Sequence, residues 1–363
     1  MQTIRRDLTA SEHKYFFAIN LYNSFDVIPD LFATLFRVAA ILGYHNVFVS
    51  IYENGSTDQT KALLRIFDAL TRSVGMRVMI RTSMRTRGAF SHRIEYLAEV
   101  RNSAFVPLHE LRDTEGEFFD SIIFMNDILP CVDDLLELIW QSRRNNAGIT
   151  CAADYMYHDD LQSPVFYDNW VARDVNGTAL ENAPFEKVFH HQESALRWQQ
   201  HLPIQVQSCW NGIAVLDPAP FYSPPHVRFR MARITEQECS ASECSLICND
   251  YWEAGYGRIM MVPRVKLAYD NVSLFSPTSS TSQHFFRKSL ISFIQTVGIL
   301  LLSEVMSVWV DSRMTPVQIL RIGLGMAHTT DYSPKKKANP QALFLDLHTV
   351  RLKYSLDWRT PNN

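Results

Sequence analysis

Asn126 and Asp127 close the apolar run Ile122-Ile123-Phe124-Met125. A carboxylate at the carboxyl end of a buried strand stands where open α/β sheets receive ligands. Mn2+ or Mg2+ takes oxygen donors, and one or two protein carboxylates suffice when water and phosphate supply the rest. Asp127 therefore fits a metal ligand that helps offset charge on a leaving diphosphate. It fits equally well a cap for the helix that follows. Glu53, Asn54 and Asp58 surround a second strand end, V-F-V-S-I-Y-E-N-G-S-T-D-Q-T over residues 47–60. Their groups could hydrogen-bond a ribose or a base, or serve the turn itself. Tyr22 and Asn23 follow a third apolar run, residues 15–21, and could stack on or bond a nucleobase. Arg93 and Arg101 are candidates for bidentate phosphate binding. Salt bridging on a helix surface is the commoner fate of such an arginine.

A second group of residues has sugar-binding chemistry, an apolar face beside carboxylate, amide and guanidinium groups. It comprises Asp168, Trp170, Arg173 and Asp174, then Trp210 and Asn211. Core packing is the ordinary fate of the two tryptophans. Glu243 and Asp250 lie two helical turns apart, so one helix face could carry both. With Asp168 they are candidate catalytic carboxylates; exposed helix surface is the alternative.

Strands and helices must hold these groups in place. Apolar runs at residues 15–21 and 47–51, a third strand at 76–81, and helical periodicity at 29–42 and 61–73 give β-α-β-α-β. Short connections imply parallel, right-handed crossovers. A helix over 92–105 is expected to stop at Pro107. Strands are expected over 120–125 and 148–153, a helix over 133–140, and a last strand over 258–269. The 363 residues are 47% hydrophobic and carry a net charge of −3, which gives no electrostatic case for nucleic acid. The six cysteines are compatible with disulfides or with buried thiols, and their spacing lacks a zinc knuckle. No phosphate-binding G-x-x-x-x-G-K-[ST], dinucleotide-binding G-x-G-x-x-G or nucleophile-elbow G-x-S-x-G motif is present. The opening residues are polar and show no signal peptide. Residues 290–310 carry too many polar groups for a membrane span and read as a buried amphipathic helix.

Several segments together resemble one family. They are S-I-Y-E-N-G-S-T-D-Q-T, R-N-S-A-F-V-P-L, F-M-N-D-I-L, F-Y-D-N-W-V-A-R-D-V-N-G, Q-S-C-W-N-G, S-E-C-S-L-I-C-N-D-Y-W and V-P-R-V-K-L-A-Y-D, in order between residues 15 and 270. The chain resembles the fungal capsule-associated and α-1,3-mannosyltransferase family, glycosyltransferase family 69. The resemblance implies a GT-A-like α/β fold with a mixed, mainly parallel sheet flanked by helices. It implies retaining transfer of mannose from GDP-mannose, with Mn2+ or Mg2+, to a glycan acceptor. Asn126-Asp127 takes the place of the D-x-D metal motif with one carboxylate instead of two.

On this reading Tyr22, Asn23, Glu53, Asn54, Arg93, Arg101, Asn126 and Asp127 belong to the donor site, and Asp127 holds the metal. Trp170, Arg173, Asp174, Trp210 and Asn211 belong to the sugar site. Residues 15–150 would form the nucleotide-sugar half and 151–270 the acceptor half, with 271–363 a helical extension. Family members usually work in the Golgi lumen behind a membrane anchor that this sequence lacks. The rival from another class is a glycan-binding protein on an inactive transferase fold. A transferase using a UDP-sugar is a third reading.

Overall fold

The computed structural model describes residues 1–9, 12–84, 88 and 92–269. All of them belong to one compact unit, Met1–Arg313. The expected amphipathic helix at 290–310 and the extension 271–363 lie outside the described residues.

The strands are β1 (Tyr15–Leu21), β2 (Val47–Asn54), β3 (Arg77–Ser83), β4 (Ser121–Met125), β5 (Ile149–His158), β6 (Ser163–Phe166), β7 (Arg173–Asp174), β8 (Ile204–Ser208), β9 (Ile213–Leu216) and β10 (Ile259–Leu267). The helices are α1 (Gln2–Thr9), α2 (Ile28–Leu42), α3 (Thr60–Ser73), α4 (Arg93–Glu115), α5 (Val132–Arg144), α6 (Gln192–Gln199), α7 (Ala219–Tyr222) and α8 (Glu243–Glu253). One sheet runs β3-β2-β1-β4-β9-β5-β10-β8-β7, with β6 paired to β5. β1 pairs in parallel with β2 and β4, and β2 with β3. β9 runs antiparallel between β4 and β5, so β5 points the same way as β4. β10 is parallel to β5. This is the mixed, mainly parallel α/β sheet expected for a GT-A-like fold. It continues without a break across residue 150, so the two expected halves share it.

The pairing follows from the side chains. β1 and β4 are apolar on both faces, which suits central strands covered on both sides. α3 buries Leu63, Leu64 and Phe67 on one stripe, and Phe67 stacks on Phe32 of α2 with ring centroids 3.8 Å apart. α5 packs against β5, β9 and β10, and α1 against α2 and α5.

Pro107 does not stop α4, which runs on to Glu115 and ends at Gly116 in the left-handed region. A proline inside a helix costs about 3 kcal/mol. Here Ala104, Phe105, Leu108 and Leu111 on both sides of it are buried. Phe105 stacks on Phe221 at 4.7 Å and contacts Phe124 at 5.9 Å. Burying two large apolar side chains recovers about 3–6 kcal/mol, enough to outweigh the break.

The chain goes from β1 outward to β2 and β3, then returns to place β4 on the other side of β1. That reversal is the topological switch point of an open sheet, and it leaves a crevice outside the carboxyl ends of β1 and β4. Tyr22 and Asn126-Asp127 sit at those two ends.

Candidate active site

The β1–α2 and β2–α3 loops are stitched together beside this crevice. The Asn23 backbone N–H donates to Ser56 Oγ at 2.9 Å, Ser24 N–H to Thr60 Oγ1 at 2.9 Å, and Phe25 N–H to Asp58 Oδ2 at 3.1 Å. Asn23 Oδ1 accepts from Thr57 N–H at 2.8 Å. Ser56 and Asp58 of the ENGSTD turn, with Thr60 at the start of α3, thus bind backbone N–H groups that would otherwise lack partners. Asn23 adopts φ 49°, which asparagine tolerates through such local bonding.

Beside the loops lies a cleft of about 800 Å³. Tyr22, Asn54, Arg93, Arg101, Asn126 and Asp127 line it, together with Asn20, Leu21, Thr57, Tyr96, Leu97 and Val100. Six donor-site candidates therefore converge on one cavity. Tyr22 is 46% exposed there, a free aromatic face. Asn54 donates through Nδ2 to the Tyr96 hydroxyl at 3.1 Å. Arg93 lies over the Trp170 ring at 5.8 Å, which brings one sugar-site candidate to the cleft mouth.

Arg101 is the electrostatic centre. Its Nε donates to Glu243 Oε1 at 2.9 Å and its Nη1 to Asn126 Oδ1 at 3.1 Å. Its guanidinium packs over Phe124 at 5.0 Å, Trp210 at 5.3 Å and Phe229 at 5.8 Å. The Glu243 carboxylate helps hold its pKa above the ordinary value against desolvation. Glu243 sits in the first turn of α8, where the helix dipole favours a carboxylate, and Ser242 caps that helix. Asp127 receives a hydrogen bond from Ser24 and feels the Arg101 charge, yet burial wins and raises its pKa. Both effects leave a partly desolvated carboxylate beside a fixed cation.

A second network backs the first. Asp154, inside β5, is fully buried. Its Oδ1 accepts from Asn211 Nδ2 at 2.7 Å and from the Asp168 backbone N–H at 3.2 Å. Its Oδ2 accepts from the Tyr269 hydroxyl at 3.1 Å. Burial pushes its pKa up to about 6. Tyr269 also bonds the Asn126 side chain, which joins this network to the cleft. Asp168 is raised by burial, its carboxylate accepting from Val171 N–H at 3.3 Å. Asn211 and Gly212 both have positive φ, 48° and 84°, so the β8–β9 turn can fold back on Asn126, whose N–H donates to Gly212 O at 3.0 Å.

The structure does not bring every candidate to the cleft. Glu53 is fully buried under the ENGSTD turn, where Oε1 accepts from Ser56 N–H and Oε2 lies 3.8 Å from Lys61 Nζ. Asn23 is committed to the loop stitch. Arg173 donates to the backbone carbonyls of Asn169 and Ala172, and Asp174 accepts from Ser194 Oγ at 2.7 Å. Asp250 is held by Arg230 through two bonds of 2.6 and 3.0 Å, so it does not share a target with Glu243. Each of these groups satisfies a neighbour that would be costly to leave unpaired. Trp210 and Asn211 lie beneath the cleft, not in its wall, and Trp210 Nε1 has no partner among the described residues.

Asp154 and Tyr269 are the residues that the sequence reading passed over as site members. Tyr269 lies just past the end of β10, the same signal that singled out Asp127, whereas Asp154 lies inside β5, which runs on to His158 beyond the strand end expected at residue 153. As a metal site the cleft offers a single carboxylate, Asp127, and among the described residues no three His, Cys, Asp or Glu side chains cluster. One carboxylate with phosphate and water is a sufficient donor set for Mg2+ or Mn2+.

The disulfide Cys151–Cys209 joins β5 to the segment that carries Trp210. Cys131, Cys239, Cys244 and Cys248 are free thiols. No described helix is long and apolar enough to cross a membrane.

A family model described as cryptococcal mannosyltransferase 1 matches residues 14–250. Over 258 residues the chain is 35% identical to alpha-1,3-mannosyltransferase CMT1 of Cryptococcus neoformans var. neoformans serotype D. That match covers 67% of this chain and 55% of that protein, so the chain spans about half the length of this curated relative. Among solved structures, residues 1–349 of TarS from S. aureus align with a TM-score of 0.41 at 12% identity, covering 92% of this chain and 78% of that one. The mannosyltransferase PcManGT from Pyrobaculum calidifontis, solved with GDP-Man and Mn2+, aligns with a TM-score of 0.42 at 12% identity, covering 94% and 81%. By the reach of the family model and the identity to its relative, the chain belongs to the cryptococcal mannosyltransferase 1 family.

Proposed function

We propose that this chain transfers a mannosyl unit from GDP-mannose to a sugar hydroxyl, with retention and in α-1,3 linkage, in fungal glycan synthesis. The observation that carries the reading is the meeting of Asp127 and Arg101 in a cleft at the switch point of the sheet, in a chain of a mannosyltransferase family. The open Tyr22 ring is placed to stack on the base, and Asn54 offers an amide near it. Arg93 carries a guanidinium at the mouth with no carboxylate partner among the described residues. Bidentate bonding to a diphosphate is the chemistry such a group supplies.

Asp127 is the residue that would hold Mn2+ or Mg2+, which supplies charge neutralisation to a leaving diphosphate. Arg101 fixes Asn126 beside Asp127 and adds a positive charge that does not need to reorganise during the reaction. In a retaining transfer the bond from the anomeric carbon to the diphosphate oxygen breaks, and the acceptor oxygen bonds to the same face. The departing oxygen can take the acceptor proton there. A strong protein base is then not required, which suits a cleft whose nearest carboxylates are engaged: Glu243 with Arg101, Asp168 with Val171 N–H. Trp170, below Arg93, provides a half-exposed indole face for a sugar ring. The disulfide is at home in an oxidising compartment, which supports a Golgi-lumen site of action.

The test is thermal unfolding with GDP, UDP, GDP-mannose and UDP-glucose, each with and without Mn2+, followed by transfer assays on mannosides. A ligand that binds only the native state raises the midpoint by mass action. A metal-dependent rise with the guanosine nucleotides and transfer of mannose are expected. A rise with uridine nucleotides alone would change the donor, and no rise with any nucleotide would remove the transferase reading.

A further inference from the structure

A cavity of about 740 Å³ opens far along the sheet from the donor cleft and shares no lining residue with it. It is built at the amino-terminal end of β10, whereas Asp127 and Tyr269 follow the carboxyl ends of β4 and β10. Four guanidinium groups border it: Arg144 at the end of α5, Arg197 on α6, and Arg258 and Arg264 from the β10 segment. The acids bordering it are Glu137 and Glu193. Glu137 is buried and already accepts from Gln141 Nε2 at 2.8 Å.

None of the four arginines pairs with a carboxylate among the described residues. Arg197 donates to Pro203 O at 3.0 and 2.8 Å, and Arg258 donates to Asn145 O at 2.5 Å. Those bonds fix the two forks and leave their charge uncompensated. Arg144 lies over the Trp140 ring at 4.7 Å, which holds its guanidinium flat on an aromatic face. Arg264 stands exposed on β10. Arg77 with Glu117 and Arg230 with Glu238 and Asp250 show the neutralised alternative. The end of a helix favours cations and accounts for Arg144. It does not account for Arg258, which directly precedes β10, or for Arg264 within it. In a protein of net charge −3, four unneutralised forks round one concavity form a local anion field.

The geometry points to a second ligand site here, one that takes a saccharide carrying an oxyanion, either a carboxylate or a phosphate. Guanidinium forks match both groups bidentately. The Asn145 and Gln205 amides border the cavity with their nitrogens committed to Gln141 and Gly257 O, which leaves their oxygens as neutral acceptors for sugar hydroxyls. The site stands apart from donor binding and does not depend on the proposed transfer reaction.

The experiment is a low-salt titration by calorimetry or NMR with three probes: methyl β-D-glucuronide, α-D-mannose 1-phosphate and neutral methyl α-D-mannoside. No nucleotide or metal is present, so nothing else competes for the four forks, and the Arg93→Ala control reports any binding in the donor cleft. The proteins are the full chain, Arg264→Gln, Arg144→Ala/Arg264→Ala and, as a control in the other cleft, Arg93→Ala. Thermal midpoints verify folding, and Arg264→Gln retains a polar side chain of similar length should the double variant unfold. We expect one or both anionic probes to bind in the millimolar range, at least about tenfold better than the neutral one, with affinity falling as salt rises. We expect the double variant to lose about tenfold or more, Arg264→Gln to lose a smaller factor, and Arg93→Ala to bind as the unaltered chain does. Glucuronide binding alone identifies a carboxylate site, and phosphate binding alone a phosphate site. Absence of binding by both anionic probes, equal binding by the neutral one, or affinity unchanged in both Arg264→Gln and the double variant would overturn the proposal.

Discussion

Asp127 and Arg101 do different work, and substitutions separate them. Asp127→Ala removes a half-buried carboxylate whose pKa is raised by desolvation, so the folded state loses little and gains some relief. We expect turnover to drop at least about a hundredfold and the thermal midpoint to hold or rise, as read by a transfer assay beside thermal unfolding. Near-normal turnover would reject its assignment. Arg101→Met leaves Glu243 buried without its cation, a loss of about 3–5 kcal/mol in stability. The same deletion made together with Glu243→Gln should recover much of that stability without restoring activity, and a double-mutant cycle in urea measures it. Asp154 supplies a pH signature. Its folded pKa, about 6, lies above the ordinary 3.8. Below pH 4 the group is protonated in both states and costs nothing. As pH climbs from 4 to 6 the unfolded chain loses its proton first, and native stability falls by about 2 kcal/mol, out of about 3 in all at 1.36 kcal/mol per pKa unit. Asp154→Asn should flatten that part of the curve. Asp134, also raised to about 6, keeps a residual slope in the variant. An unaltered profile from pH 4 to 6 would show that Asp154 does not titrate as its burial implies.

At the scale of elements, the site depends on turns that bring strand ends together. Gly212 has φ 84°, and a Cβ there would stand 3.1 Å from Ile128 Cγ2 and 3.3 Å from Leu267 Cδ1. Gly212→Ala should cost about 1–2 kcal/mol from the left-handed backbone alone. The crowding of Ile128 passes directly to Asp127, so nucleotide-induced thermal shifts should shrink as well as the midpoint. A fall in midpoint with full nucleotide response would uncouple the turn from the cleft. Much of this scale was legible from sequence. Apolar runs marked β1, β2 and β4, and the strand-end rule placed Tyr22, Asn126 and Asp127 at one crevice. What the sequence hid was competition between neighbours. Whether Asp250 faces substrate or Arg230, and whether Asp174 faces sugar or Ser194, depends on contacts 20 residues away along the chain. Pro107 misled for a related reason: a local rule ended α4, and the core across the sheet kept it going. Tyr269 follows the end of β10, but Asp154 lies inside β5, and the two became visible as a pair only once β5 and β10 were known to be neighbours.

For the molecule as a whole, the Cys151–Cys209 bond joins regions that the sheet alone would hold less firmly. The two cysteines are 58 residues apart. The chain between them contains Asp154, Asp168, Trp170 and α6, so the crosslink closes a loop that includes one wall of the backing network. In the chain-entropy account, a loop of that length stabilises the folded state by about 4 kcal/mol, by restricting the unfolded chain. Cys209 also lies directly before Trp210 and Asn211, so the crosslink anchors the turn on which Asp154 and Asn126 depend. Cys151→Ser/Cys209→Ser, or reductant on the unaltered chain, should therefore lower stability by about 2–5 kcal/mol, measured by urea unfolding. If the crosslink acts through the unfolded chain, nucleotide affinity of the folded fraction should remain within about twofold. If it also holds the β8–β9 turn in place, affinity and turnover should fall together with stability. The position of Cys209 favours the second outcome, and a variant that is less stable with full nucleotide affinity would assign the bond to stability alone.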